Sequence, residues 1–487
     1  MAEKSSTKSL TTPEGEKNGA QADLLTLDYN NLTHGAIGDE GLTEAELNTM
    51  KKALTSAYKQ FEAARTKGLL PFTELPSNTL IPKMCRKLAD NYRQKIEAVV
   101  VLGIGGSALG ANAVYSALRS TNHSASKADK RQWPRLLIAD NIDPEGFGAL
   151  LDGIDPSKTF FNVISKSGAT AETMSQFMVI HDKLQRTLGR TSIKDHLLIT
   201  TDPQNGVLRK IVNANDYLSM EVPPGVGGRF TVFSSVGLAP LAMVGVSVYD
   251  LLAGAKKAQE DFSKPVLANK ALMFAGLNWL FTTLKNKGTL VMMPYAEALS
   301  KVADWFLQLW NESLGKALHL DGSPAGTGQT AVKAVGVTDQ HSQLQMYMEG
   351  PRDKSICFLG VEKFRGEVAI PKVFKDYEEL SYLGGHSLGE LLNFERQGTA
   401  RALAENGRPN MTLTMPKVGA GTLGYLLQTL MLATVISGTL YEVNPLDQPG
   451  VELGKKFTYG LMGRSGFSDM SERYRKGLSN KSRYIIL

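Results

Sequence analysis

Cysteine is scarce in this chain: of 487 residues only Cys85 and Cys357 are cysteines. They lie far apart and belong to no C-x-x-C or Cys/His pattern, which argues against a disulfide scaffold and a structural zinc site and makes a reducing compartment the simpler expectation. Clustered charge is missing too. The 54 basic and 48 acidic residues leave a net charge of +6 without a long basic run. That excludes the electrostatic footprint of a nucleic-acid binder and suits an anionic small molecule. The seven histidines show no H-x-x-x-H or similar spacing, so no metal ligand set is expected. No G-x-x-x-x-G-K-[ST] string occurs, which removes a P-loop. The N-terminus has no apolar core of a secretory signal or anchor, and its Ser, Thr, Lys, Gly and Glu content reads residues 1–30 as a disordered tail. A cytoplasmic location is the resulting expectation.

One stretch does lack charge altogether. Val418 to Tyr441, "VGAGTLGYLLQTLMLATVISGTLY", is long enough to cross a bilayer. Gln428, the repeated Thr and Ser residues and the absence of a partner segment or a basic flank favour a core or subunit-interface helix instead, with no membrane partner.

What the chain has is alternation. With 42% hydrophobic and 21% charged residues, it can bury the cores of two or three domains. From Glu97 short apolar runs ("EAVVVLGIG", "RLLIAD", "TFFNVISKSG", "HLLITTD") alternate with helical periods, the pattern of a doubly wound α/β fold with a parallel sheet. A second series follows the helix-rich "NKALMFAGLNWLFTTLKNK": "GTLVMMPYA", a helix from Leu299 to Leu314, "ICFLGVEKF", a helix from His386 to Glu405 and "MTLTMPKV". The expected units are 31–265, 266–445 and a C-terminal segment 446–487. Ligands of such folds sit at the carboxyl ends of the strands.

Two turns are candidates for that position. "VVVLGIGGSALGANAV" runs from a buried strand through glycines, including Gly106 and then Ser107, into a helix, which lets backbone N–H groups approach a phosphate closely. Gly103, Gly105 and Ala108 also satisfy the loose dinucleotide fingerprint. A ribose-binding acid is expected about 20 residues on, yet the first strand-terminal acid is the more distant Asp140. The second turn, "ISKSGATAET", sets Ser165, Lys166, Ser167 and Thr170 ahead of an apolar-periodic helix. Capping by Thr170 explains it if it stands alone; beside the glycine turn, two such ends converge on one crevice and make a cage for a phosphate monoester.

Further candidates are scattered. Gln308 and Glu312 are four apart on one helix face. His341 stands at a loop-to-helix junction in "TDQHSQLQ". Arg229 follows two glycines in "PPGVGGRFTVFSSVGL", and Gln448 and Lys455 follow the prolines of "NPLDQPGVELGKKF". Each one singly reads as a surface or structural residue.

Together they are more specific. "GIGGSALG", "SKSGATAET", "GGRFTVFSSVGL", "NESLGK", "TDQHSQLQ" and "DQPGVELGK", in that order from Gly103 to Lys455, resemble the glucose-6-phosphate isomerase family, and the second and fifth strings are closer to its bacterial branch. The resemblance implies two sugar-isomerase (SIS) domains, a homodimer with shared sites, and interconversion of glucose 6-phosphate and fructose 6-phosphate without a cofactor. It implies that Ser165, Lys166, Ser167 and Thr170 hold the phosphate, with Gly106 and Ser107 beside the sugar and Gln308 and Gln448 bonded to it. Glu312 is then the base, Arg229 the charge beside a cis-enediolate, and His341 and Lys455 the ring-opening pair, with Glu172 orienting the histidine. A non-catalytic SIS-type sugar-phosphate regulator is the alternative; it has no need of Glu312, Arg229, His341 and Lys455 together.

Overall fold

The computed structural model describes residues 24–119 and 132–478. The start of the expected tail and the last residues of the C-terminal segment lie outside the described residues. The strands are β1 (Thr26–Asp28), β2 (Ala98–Leu102), β3 (Arg135–Ala139), β4 (Thr159–Ile164), β5 (Leu197–Thr201), β6 (Ser219–Glu221), β7 (Thr289–Pro294), β8 (Lys316–Leu318), β9 (Pro324–Thr327), β10 (Thr330–Lys333), β11 (Lys354–Val361) and β12 (Asn410–Met415). One five-stranded sheet has the order β3-β2-β4-β5-β6 and is parallel throughout. The other runs β1-β12-β11-β7-β10 and is parallel except for β1. Helices flank both, so the α/β class holds.

The alternation of strand side chains explains why these runs are apolar throughout. In β2, Val99 and Val101 point into one large core, while Val100 and Leu102 point into a smaller cluster on the opposite face. In β7, Leu290 and Met292 join the same large core, whereas Val291 and Met293 enter a third cluster. The two sheets therefore share a middle layer, and each has its own outer one. A strand covered on both faces cannot alternate with polar residues.

The uncharged segment becomes the helix Ala420–Leu440, which lies inside that middle layer with 89% of its most apolar window buried. Several of its polar groups are paired: Gln428 Nε2 donates to Gln259 Oε1 at 2.8 Å, and the Thr429 and Thr434 hydroxyls donate to carbonyls one turn back, while the buried Gln428 Oε1 and Ser437 Oγ have no hydrogen-bond partner among the described residues. Close packing against the helix Val248–Asp261 depends on glycine. A Cβ at Gly424 would stand 1.9 Å from the Leu251 carbonyl oxygen, and one at Gly254 would stand 1.8 Å from that of Gly421.

The tail expectation needs a correction. Residues 1–30 read as disordered, yet Thr26–Asp28 forms β1, pairing antiparallel with Thr412–Thr414, and the neighbouring Leu25 is fully buried. Edge pairing and one apolar anchor order this short segment, and three residues are too few for a periodic signal. By the same route the N-terminus completes the sheet of the second half of the chain.

Because β2 and β4 are neighbours, the turns that follow them are side by side. The first turn is also fastened to the loop carrying Arg229. Thr231 Oγ1 donates to the Gly106 carbonyl at 3.1 Å, and a Cβ at Gly106 would fall 2.1 Å from the Gly228 carbonyl carbon. A Cβ at Gly228 meets only the Gly106 Cα, at 3.7 Å. Gly106→Ala should therefore cost about 1–3 kcal/mol in urea unfolding, as overpacking does, while Gly228→Ala should stay within about 0.5 kcal/mol of wild type. Equal losses from the two would contradict this close approach.

Candidate active site

The two turns open into a cavity of about 670 Å³ at the carboxyl ends of β2 and β4. Its lining combines both halves of the chain. From the first half come Gly106, Ser107, Ser165, Lys166, Ser167, Thr170, Glu172 and Arg229; from the second come Gln308, Glu312, Gln448 and Lys455. Residues far apart in sequence converge because the helix Ser300–Leu314 packs against the helix Leu109–Leu118 that follows the first turn.

The hydroxyl turn is organised by its own bonds. Thr170 Oγ1 lies 3.0 Å from Ser165 Oγ and 3.4 Å from Ser167 Oγ. The Ser165 hydroxyl accepts from the Gly168 amide at 3.1 Å, and the Ser167 hydroxyl from the Ala169 amide at 3.3 Å. Thr170 occupies the N-cap of the helix Ala171–Leu188, but its side chain accepts no bond from the first turn. Capping therefore does not account for this hydroxyl. The N-terminus of an 18-residue helix lies at the cavity instead, where its unpaired amides and dipole favour an anion. Lys166 adds positive charge, its Nζ fixed at 3.1 Å from the Val226 carbonyl.

Across the cavity stands Arg229, its side chain 1% exposed. Every N–H of its fork is used. Nε donates to Ser313 Oγ at 2.7 Å; Nη1 donates to Glu312 Oε2 at 3.3 Å and Gln448 Oε1 at 2.8 Å; Nη2 donates to the carbonyls of Pro445 at 2.6 Å and Asp447 at 3.1 Å. Burial pushes the guanidinium pKa down, opposed by the charges of Glu312 and Asp447. An arginine with no donor left over acts on its surroundings through its charge.

Glu312 takes its second bond from Gln308 Nε2, at 3.1 Å to Oε1. The four-residue spacing read from the sequence thus becomes a contact. Both of its hydrogen bonds are long for charge-assisted pairs, and a third of the side chain remains exposed. The carboxylate is oriented and still accessible, the combination a proton acceptor needs.

Lys455 lies on the helix Glu452–Leu461, with Nζ 2.7 Å from Glu452 Oε1. The hydrogen bond from Lys455 and its charge hold the Glu452 carboxyl below its usual range. His341 is the exception: it ends the 3-10 turn Thr338–His341, is exposed, and does not line the cavity. No hydrogen bond or ion pair joins it to Glu172 among the described residues, so the expected pair does not form within one chain.

Sequence reasoning missed several lining or supporting groups. Asp202, Asn205 and Gly206 follow β5 and line the cavity; Asp202 stood at the end of the run "HLLITTD", where position on the sheet was the available signal. Backbone amides of Gln204 and Asn205 hold its carboxyl pKa down. Ser313 and Lys316 lay within the quoted "NESLGK", and Asp447 within "DQPGVELGK", but pattern alone did not single them out.

Comparison with known proteins places the chain as a whole. The family model described as phosphoglucose isomerase matches residues 88–474. The chain is 42% identical over 467 residues to a glucose-6-phosphate isomerase of Carboxydothermus hydrogenoformans, covering 95% of this chain and 99% of that protein. It is 41% identical to that of Rubrobacter xylanophilus, over 91% of this chain and 99% of the relative. Among solved structures, a hypothetical protein of Thermus thermophilus superposes with a TM-score of 0.80 at 37% identity, covering 90% of this chain and all of the other. A glucose-6-phosphate isomerase of Chlamydia trachomatis shares the fold, with a TM-score of 0.78 at 20% identity over 94% of this chain and 93% of that one. On the extent of these matches, the chain belongs to the phosphoglucose isomerase family.

Proposed function

We propose that this protein is an aldose-ketose isomerase that interconverts glucose 6-phosphate and fructose 6-phosphate, the step shared by glycolysis and gluconeogenesis. The observation that carries the reading is Glu312: an accessible carboxylate, bonded to a buried arginine, facing a hydroxyl-lined helix N-terminus across one cavity. The phosphate sits on Ser165, Lys166, Ser167 and Thr170. This places the sugar carbons against Gly106, Ser107, Gln308 and Gln448.

The chemistry then follows. Glu312 takes the C2 proton of the open-chain aldose, which leaves a cis-enediolate, and a proton returned to C1 gives the ketose while the O2 proton passes to O1. Negative charge develops on the two oxygens, and the fixed charge of Arg229 is already in place to stabilise it. Ring opening needs a proton on the ring oxygen and the loss of one from the anomeric hydroxyl. Lys455 and His341 supply these, with Glu172 orienting the imidazole. Since His341 is outside its own chain's cavity, it acts in the site of a second copy, and the active form is a homodimer.

A dimer also accounts for the segment between β11 and the helix Leu388–Glu405, where Val373, Phe374, Tyr377 and Tyr382 are all more than half exposed. Apolar surface on that scale suits an interface. Two SIS-type doubly wound domains, divided near residue 265, and a C-terminal segment from 446 carrying Lys455 fit the two sheets. A cytoplasmic enzyme agrees with a chain whose only two cysteines are free and buried.

Fructose 6-phosphate coupled to a glucose-6-phosphate dehydrogenase gives the assay, with and without EDTA. Wild type should turn over in both, and Glu312→Gln should lose about 100-fold or more in kcat while phosphate still protects it from heat. Near-normal kcat in that variant would reject the base. The shared site has its own test. Glu312→Ala and His341→Ala chains, each nearly inactive, are unfolded and refolded together; a site completed in trans restores about a quarter of all sites by two-fold symmetry. Verified heterodimers without recovered activity would place His341 in its own chain's site.

A further inference from the structure

We infer that Lys316 is a positioning residue for the isomerisation, clamping the backbone of Glu312 and the loop that carries Gln448 into one arrangement. Its side chain is 5% exposed. Nζ donates to the Glu312 carbonyl at 2.7 Å and to the Asp447 carbonyl at 2.5 Å, and it pairs with Asp447 Oδ1 at 3.2 Å. An ammonium has three N–H groups, and here each has an acceptor. Burial lowers the lysine pKa, Asp447 opposes the shift, and the nearby charge of Arg229 adds to it.

The position explains why a charge is kept where burial disfavours it. Glu312 lies in the last turn of the helix Ser300–Leu314, whose final carbonyls have no partner within the helix. Lys316 caps one of them, and a cation there also complements the helix dipole. That carbonyl belongs to the same residue whose carboxylate faces the cavity. The second acceptor, the Asp447 carbonyl, also receives Arg229 Nη2. Lys316 and Arg229 thus grip the helix end and the 445–448 loop from two sides, and only Arg229 touches the cavity. Losing Lys316 releases the Glu312 turn and the Gln448 loop together, without touching the hydroxyl turn.

The chain contains a matched control. Lys287 is 3% exposed and donates to Glu40 Oε2 and the Arg352 carbonyl, both at 2.6 Å, and it does not line the cavity. This inference rests on Glu312 as the base; an inactive wild type would refute that reading, whereas the outcomes below concern Lys316 alone. Lys316→Met should lower kcat by about 10- to 100-fold, the scale of misplacing a reacting group, with KM within about twofold because the phosphate contacts are untouched. Lys287→Met should lower Tm similarly and keep kcat within about twofold. Lys316→Arg should recover part of the lost kcat. A Lys316→Met enzyme with wild-type kcat, or an equal kcat loss in Lys287→Met, would overturn the inference. If Lys316→Met does not fold, Asp447→Ala replaces it, since it removes the ion pair and keeps both carbonyls; a kcat fall of about threefold or more at constant KM is expected, and an unchanged kcat would overturn the inference equally.

Discussion

The site depends on one buried guanidinium. Arg229 has given up water and found five acceptors, on the helix Ser300–Leu314, on Gln448 and on the carbonyls of Pro445 and Asp447. A buried charge tolerates this only when its hydrogen bonds are complete, so the three segments are held in register. Two further constraints act alongside it. The Gly106 and Gly228 backbones touch, fixing the glycine turn to the arginine loop, and Lys316 closes the far side of the helix end.

These restraints separate two tasks across one cavity. On one wall the hydroxyl turn and the N-terminus of the helix Ala171–Leu188 present hydroxyls and a dipole, which in the proposed reaction meet a phosphate whose charge does not change. On the other stand Glu312 and Arg229, where the proposed reaction makes and removes charge. A ligand anchored at one end presents its carbons to the other, and anchoring energy is thereby spent on orientation. Parallel sheets make the arrangement accessible, because all strands of the first sheet deliver their following turns to the same edge.

Much of this was legible in the sequence. Buried strands announced themselves as unbroken apolar runs, and the Gln308–Glu312 contact followed from helical spacing. Ordered motifs between Gly103 and Lys455 pointed to the family. Other features were not legible, for identifiable reasons. β1 is three residues long and β6 equally short, which leaves no period to read; each is ordered by a neighbour distant in sequence. The acceptors of Arg229 include backbone carbonyls, and a backbone group carries no mark of its partner in the sequence. Lys316 reads as an ordinary surface lysine until the helix end and the 445–448 loop fold over it. Taken alone, the Thr170 hydroxyl reads as a helix cap, and the structure shows it bonded to Ser165 and Ser167 and accepting no bond from the first turn of the helix.

The central claim is that a carboxylate beside a buried arginine moves a proton between adjacent carbons. It is tested most directly by isotope exchange. Fructose 6-phosphate is equilibrated with the wild-type enzyme in deuterium oxide, and the products are followed by proton NMR. A carboxylic acid formed by abstraction can exchange with solvent before it returns its proton. Deuterium should therefore accumulate at C2 of glucose 6-phosphate and at C1 of fructose 6-phosphate. Complete retention of protium at both carbons after many turnovers would mean a direct hydride shift, and would contradict the role given to Glu312 and Arg229.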